Sequence, residues 1–169
     1  MGEEEFEALR LIAIEEGAED ARVVRSSDIV VANWTRWKCR YGCPNYGKSL
    51  MCPPNSPTPD ETRALLKDYE YALLIKYDSD EDHHGRLLSL EHRAFLSGYH
   101  PALALTAGSC HLCGECNLKG LCLHPEEARP AMEACGIDVF GTARKAGFEM
   151  SVKTSRDQSY SRFCLLLLR

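Results

Sequence analysis

Seven of the nine cysteines in this 169-residue chain fall into two short groups. One reads Cys110-x2-Cys113-x2-Cys116-x5-Cys122, with Pro125 close behind. Thiols spaced by twos let a single loop set sulfur ligands at successive corners of an iron–sulfur cubane while its backbone amides point at the sulfides. The other reads Cys39-x3-Cys43-x8-Cys52, followed by Pro53 and Pro54. Its three thiols fill three corners of a second cluster and leave the fourth to Cys135, a histidine, water or a substrate. A cluster with four thiolates carries electrons or holds structure, whereas an open iron can act as a Lewis acid.

Zinc is the alternative metal, since it also takes four thiolates. Its usual pattern is two C-x2-C knuckles a dozen or more residues apart, and here three cysteines crowd into one short run. A thiol–disulfide redox role lacks the βαβ setting that such motifs require. Cys164, inside an apolar run, reads as a small buried hydrophobe, and packing is favoured over ligation for Cys135 as well. His111 and His124 lie in or beside the second group, where they can tune a cluster. His83 and His84 stand among Asp78, Asp80, Glu81 and Asp82, an arrangement that reads first as a solvated helix start.

The net charge of −5 argues against nucleic-acid binding. Its distribution is uneven: residues 3–20 hold eight acids and one arginine, while residues 22–48 hold six Lys or Arg and one acid, Asp28. Arg36, Lys38, Arg40 and Lys48 flank the first cysteine group, where positive charge stabilises thiolates or attracts an anion. Lys48, Arg40 and Tyr46 are the candidates to steer a small anionic ligand, and a redox partner protein is the other expected partner. No apolar run is long enough to span a bilayer, and the first residues lack the basic start and apolar run of a secretory signal. These features predict a cytoplasmic protein, in a compartment where clustered cysteines read as ligands rather than disulfides.

The elements around the groups follow from periodicity and punctuation. Phe6, Leu9, Ile12 and Ala13 predict an amphipathic helix over 4–16, stopped by Gly17. Val23, Val24 and the run 29–34 predict short strands that deliver Cys39 from a strand end. Five prolines and two glycines make 42–59 an irregular loop. A helix capped by Thr58 or Asp60 and a central strand over 69–77 come next. A longer helix over 84–99, with Leu88, Phe95, Leu96 and Tyr99 on one face, continues past Pro101 towards Thr106, although the alternation there also suits a strand. Short helices over 125–135 and 138–146 and strands over 148–153 and 163–168 complete the chain. The expectation is one α/β (α+β) domain over 1–169: a small mixed sheet, flanking helices and two cysteine-rich metal-binding loops that converge.

The ordered set Cys39, Cys43, Tyr46-Gly-Lys, Cys52-Pro-Pro, the Cys110 to Cys122 run and Arg129-Pro-Ala-Met-Glu-Ala-Cys-Gly-Ile-Asp-Val139 resembles the predicted metal-binding proteins of domain of unknown function 2284, a largely prokaryotic family. The resemblance spans nearly the whole chain and implies metal binding, of iron–sulfur type, at Cys39, Cys43, Cys52, Cys110, Cys113, Cys116 and Cys122. The expected role is one or two [4Fe-4S] clusters used in electron transfer or redox support. A small enzyme with an open iron site and a zinc-stabilised interaction module are the alternatives. Residues 129–139 read as a brace for the cysteine loop, with Gly136 ending one helix and Asp138 capping the next.

Overall fold

The two near-continuous apolar runs, 71–75 and 163–168, become the two middle strands of one sheet. The computed structural model describes residues 3–78, 82–150, 152–155 and 157–169. Strand β1 (Asp20–Arg25), β2 (Tyr71–Asp78), β3 (Leu103–Leu105) and β4 (Ser161–Leu167) pair in the order β1-β2-β4-β3. Every pairing is antiparallel, so the expected mixed sheet is corrected on this point; a parallel contact survives only as the isolated bridge between Thr106 and Ala131.

Both faces of the sheet are covered, which is why its middle strands carry no polar alternation. Tyr71, Leu73, Ile75 and Tyr77 of β2 and Cys164 and Leu166 of β4 face one core, shared with α1 (Glu7–Glu15) and α4 (His83–Leu96). Ala72, Leu74, Phe163, Leu165 and Leu167 face a second core with Met132, Cys135, Ile137 and α5 (Val139–Lys145). Gly17, at φ +102°, turns the chain from α1 into β1. The Thr58 hydroxyl and Glu61 form a reciprocal capping box that starts α3 (Pro59–Leu65).

Several expectations are corrected. The run 29–34 is not a strand: Val31 makes one isolated bridge to Ile137, and a helix, α2 (Trp34–Gly42), begins at Trp34. Cys39 therefore projects from a helix rather than following a strand. No helix continues past Pro101, because Leu103–Leu105 pairs with β4. The buried face of α4 is Leu87, Leu90, Glu91 and Ala94, while Phe95 and Leu96 are exposed. Between 125 and 135 only the 3-10 turn Glu133–Cys135 is helical, since Thr106 and residues 130–132 exchange backbone bonds of 2.9 and 3.0 Å. The stretch 148–153 is not extended into the sheet at its described residues; Phe148 instead packs edge-on against Phe163, and Ser151 lies outside the described residues. No helix among the described residues is long and apolar enough to cross a membrane.

One polar contact in the interior ties these layers together. Glu91, 8% exposed, accepts the Ala104 N–H at 2.9 Å and the Arg129 guanidinium at 3.0 and 2.7 Å. It thus links α4, the edge strand β3 and the segment that follows the second cysteine group. Removing Arg129 strands a buried carboxylate, so Arg129→Ala is expected to lower the unfolding free energy by about 3 kcal/mol. Urea denaturation checks this, and a loss below about 1 kcal/mol would mean that the pair behaves like a surface ion pair.

Candidate metal centre

Helix α2 has two faces. Thr35, Arg36 and Cys39 turn inward at helical spacing, while Trp34, Trp37 and Tyr41 are exposed at 47%, 64% and 69%. The Trp37 and Tyr41 rings stack at 5.8 Å, and Lys38 and Arg40 lie over the Trp34 and Tyr41 rings. Cys43 follows at the helix end, its N–H donating to the Cys39 carbonyl at 3.2 Å.

The irregular stretch after Cys43 is held by side chains. Arg36 Nη1 donates to the Ser56 carbonyl and hydroxyl at 3.1 and 3.0 Å, to the Pro57 carbonyl at 2.9 Å and to the Ala134 carbonyl at 3.1 Å. The Ser56 hydroxyl donates to the same Ala134 carbonyl at 2.7 Å. Asn55 Nδ2 holds the Ser49 carbonyl at 3.1 Å, and Ser56 N–H returns to the Cys52 carbonyl at 3.1 Å. Arg36, grouped in the sequence with the anion-steering cations, is thus a loop clamp.

The second group enters from β3 through Gly108, at φ +78°. His83 donates to the Ala107 carbonyl at 3.0 Å, and His84 donates to the Glu127 carbonyl at 2.8 Å, so the start of α4 pins both ends of the cysteine loop. Asp80 and Glu81, grouped with these histidines in the sequence, lie outside the described residues.

The two loops meet, as expected. Asn45 Nδ2 donates to the Ser109 hydroxyl at 2.9 Å, and Leu50 N–H donates to Cys116 Sγ at 3.4 Å. Burial pushes the Cys52 thiol up, while the Ser109 hydroxyl and the Cys110 N–H oppose that rise. Burial also raises Cys39, followed by the charges of Cys43, Glu133 and Cys52, with Arg36 opposing. Cys113 is raised by desolvation and then by Cys116, Cys110 and Cys122.

A cavity of about 370 Å³ opens on the second set, lined by Cys110, Cys113, Cys116 and Cys122 together with His111, His124 and Lys48. Lys48 lines this cavity on the second group; Arg40 is exposed beside Tyr41, and the half-buried Tyr46 closes a turn through its N–H to the Cys43 carbonyl at 3.2 Å. A hollow of about 550 Å³ near Arg25, Lys67, Glu70 and Arg169 carries no thiol. Among the described residues no three His, Cys, Asp or Glu side chains close up into a single-ion site. The donor set nonetheless fits a sulfur-ligated group: clustered thiols of which five are half-buried, a cavity between loops and a backbone N–H directed at the Cys116 sulfur.

Glu133 carries a charge that acts on the Cys39 thiol. On the turn Glu133–Cys135 it is the residue whose side chain reaches solvent, while Ala134 and Cys135 are buried. Desolvation still raises its carboxyl above the ordinary value, with Arg162 opposing.

A family model described as predicted metal-binding protein (DUF2284) matches residues 22–168. The chain belongs to this family. No curated protein and no solved structure matches it. The matched span contains all nine cysteines, both loops and all of the sheet except Asp20 and Ala21, and leaves out α1.

Cys135 and Cys164, at 2% and 0% exposure, stand apart from the clustered thiols. Burial pushes each up to about 12. Both are then protonated in the folded chain at pH 8, and the stability this confers is lost as pH rises from the ordinary thiol range towards 12. Alkylation of the metal-stripped, folded protein at pH 8, read by peptide mass spectrometry, should label the clustered cysteines and spare these two. Rapid labelling of Cys135 would contradict its packing role.

Proposed function

We propose that this protein binds iron–sulfur clusters and serves electron transfer or redox support in a reducing, cytoplasmic setting. Cys110, Cys113, Cys116 and Cys122 hold one [4Fe-4S] cluster, and Cys39, Cys43 and Cys52 help to hold another. The observation that carries this reading is the contact between the loops, where the first cysteine segment donates the Leu50 N–H to Cys116 Sγ of the second and Asn45 bonds Ser109. Such N–H groups stabilise electron-rich thiolate sulfur and tune a cluster's potential. When bound, the clusters supply one-electron chemistry. The chain's own residues set its conditions: Arg36 and Ser56 fix the first loop, His83 and His84 pin the second, and Lys48 places positive charge at the cavity.

Between Asp28 and Asp60 the chain has no acid and four cations, Arg36, Lys38, Arg40 and Lys48. Of these, the exposed Lys38 and Arg40 on α2 suit an acidic redox partner or a small anionic ligand near the first group. A second reading, an enzyme with an open iron, is favoured by the count of three thiols in that group.

Anaerobic purification followed by iron and acid-labile sulfide analysis tests the proposal: about eight of each per chain are expected for two cubanes, and Cys113→Ser should lose about half while the protein stays folded. Fewer than about one iron per chain after reconstitution would overturn it. Zinc without sulfide would reassign the chain as a zinc-stabilised module.

A further inference from the structure

Helix α2 presents an outward stripe that the packing of the fold does not use. Trp34, Trp37 and Tyr41 recur at helical spacing and are exposed at 47%, 64% and 69%, whereas Thr35 is buried and Arg36 and Cys39 are half-buried on the other side of the helix. Both tryptophans of the chain lie here, and neither enters either core. At about 100° per residue, Lys38 and Arg40 fall on either side of the stripe. Lys38 Nζ lies 5.4 Å from the centre of the Trp34 ring, Arg40 Cζ lies 5.4 Å from that of Tyr41, and the Trp37 and Tyr41 rings are 5.8 Å apart. Contiguous exposed aromatic groups rimmed by charge mark an interaction site, and Trp, Tyr and Arg are the side chains that carry most binding energy in protein interfaces.

The charge on this face is uncompensated. Neither Lys38 nor Arg40 makes an ion pair within 4.0 Å among the described residues, and residues 29–59 contain no acid. The acidic end of the chain is in the opposite state: Glu5 pairs with Arg169, Glu7 with Arg10, Glu16 with Arg93, Glu19 with Lys76 and Asp20 with Arg22. Those acids are answered within their own molecule, so a second copy has little free negative charge to offer from that segment. A nucleic acid suits a chain of net charge −5 less well than a protein does. The complement that the face lacks is a carboxylate-rich protein surface. Cys43, two residues beyond Tyr41, is exposed, while the other clustered thiols are half-buried or buried, so the face borders the most accessible thiol of the first group.

We propose that Trp34, Trp37 and Tyr41, with Lys38 and Arg40, form the docking surface for an acidic electron-carrier protein. The inference rests on the redox reading above and gives it a place on the molecule. One electron passes between the docked carrier and the centre at the first group, one being oxidised as the other is reduced, and no bond is made or broken. The rings supply the area that holds the complex, and the cations steer its approach.

The full-length protein, reconstituted anaerobically with iron and sulfide, is titrated calorimetrically with two probes, an acidic [2Fe–2S] ferredoxin of the plant type and an acidic flavodoxin. Electron transfer from each reduced probe is followed by stopped flow. Binding of at least one probe is expected, weakening as salt rises from about 0.05 to about 0.5 M. Trp37→Ala should weaken it about ten-fold or more at every salt concentration. Lys38→Glu combined with Arg40→Glu should slow association about ten-fold at low salt, and the difference from the parent should close at high salt. Lys67→Glu, the same charge change at an exposed position on the turn that follows α3, should do neither. No binding of either probe, or binding that the α2 variants leave unchanged, would overturn the inference while leaving the cluster reading intact. Self-association of the parent that Trp37→Ala abolishes would overturn it in favour of a second copy, and tight binding of a single-stranded oligonucleotide through the same residues would overturn it in favour of base stacking. A parent that binds a probe through this face but takes up no iron and sulfide would overturn the cluster reading, and the electron transfer with it, and leave the docking surface standing.

Discussion

The carbonyl of Ala134 is the point on which the first cysteine group depends. The segment between α2 and α3 carries four prolines and has no regular hydrogen-bond ladder to hold its shape. A loop of this kind keeps a fixed geometry only if side chains satisfy its backbone groups. Arg36 does so for several carbonyls at once and meets Ser56 at Ala134, so the arms bearing Cys39 and Cys52 share one anchor on the turn Glu133–Cys135. A guanidinium suits the task because its planar fork presents several fixed donors. The turn is anchored in its own right, since Met132, Cys135 and Ile137 sit in the core on one face of the sheet.

The sheet is thus the rigid reference for both loops. The first reaches it through that turn, and the second leaves edge strand β3 and returns past Arg129, held by Glu91. Covering both faces of an antiparallel sheet demands apolar side chains in successive registers, 71–75 of β2 and 163–167 of β4, which explains why these stretches read as uninterrupted runs. Site precision then comes from hydrogen bonds across the loops, Asn45 to Ser109 and Leu50 to Cys116, rather than from regular structure at the thiols.

Much of this was legible in the sequence for physical reasons. The central strands, the first helix, the capped α3 and the two thiol sets each announced themselves through periodicity, a cap or a spacing. Helix α2 was missed because Val30, Val31 and Trp34 read as β-formers, yet the spacing of Trp34, Trp37 and Tyr41 was a helical stripe, and it faces solvent. The buried face of α4 was misjudged because a charged residue, Glu91, belongs to it, and only the partner Arg129, distant in sequence, makes that burial tolerable. The stretch 103–105 followed its pairing with β4 over the helical preference of alanine. The role of Arg36 as a clamp could not be read from charge patterning, which groups it with the exposed Lys38 and Arg40.

The central claim is that both thiol sets hold iron–sulfur clusters side by side. Native mass spectrometry of the protein purified without oxygen tests it most directly, because the intact mass reports metal and sulfide together. The account predicts two successive additions of about four irons and four sulfides each, the first absent in Cys39→Ser and the second absent in Cys113→Ser. A single addition lost equally in both variants, or a mass gain from zinc without sulfide, would contradict it.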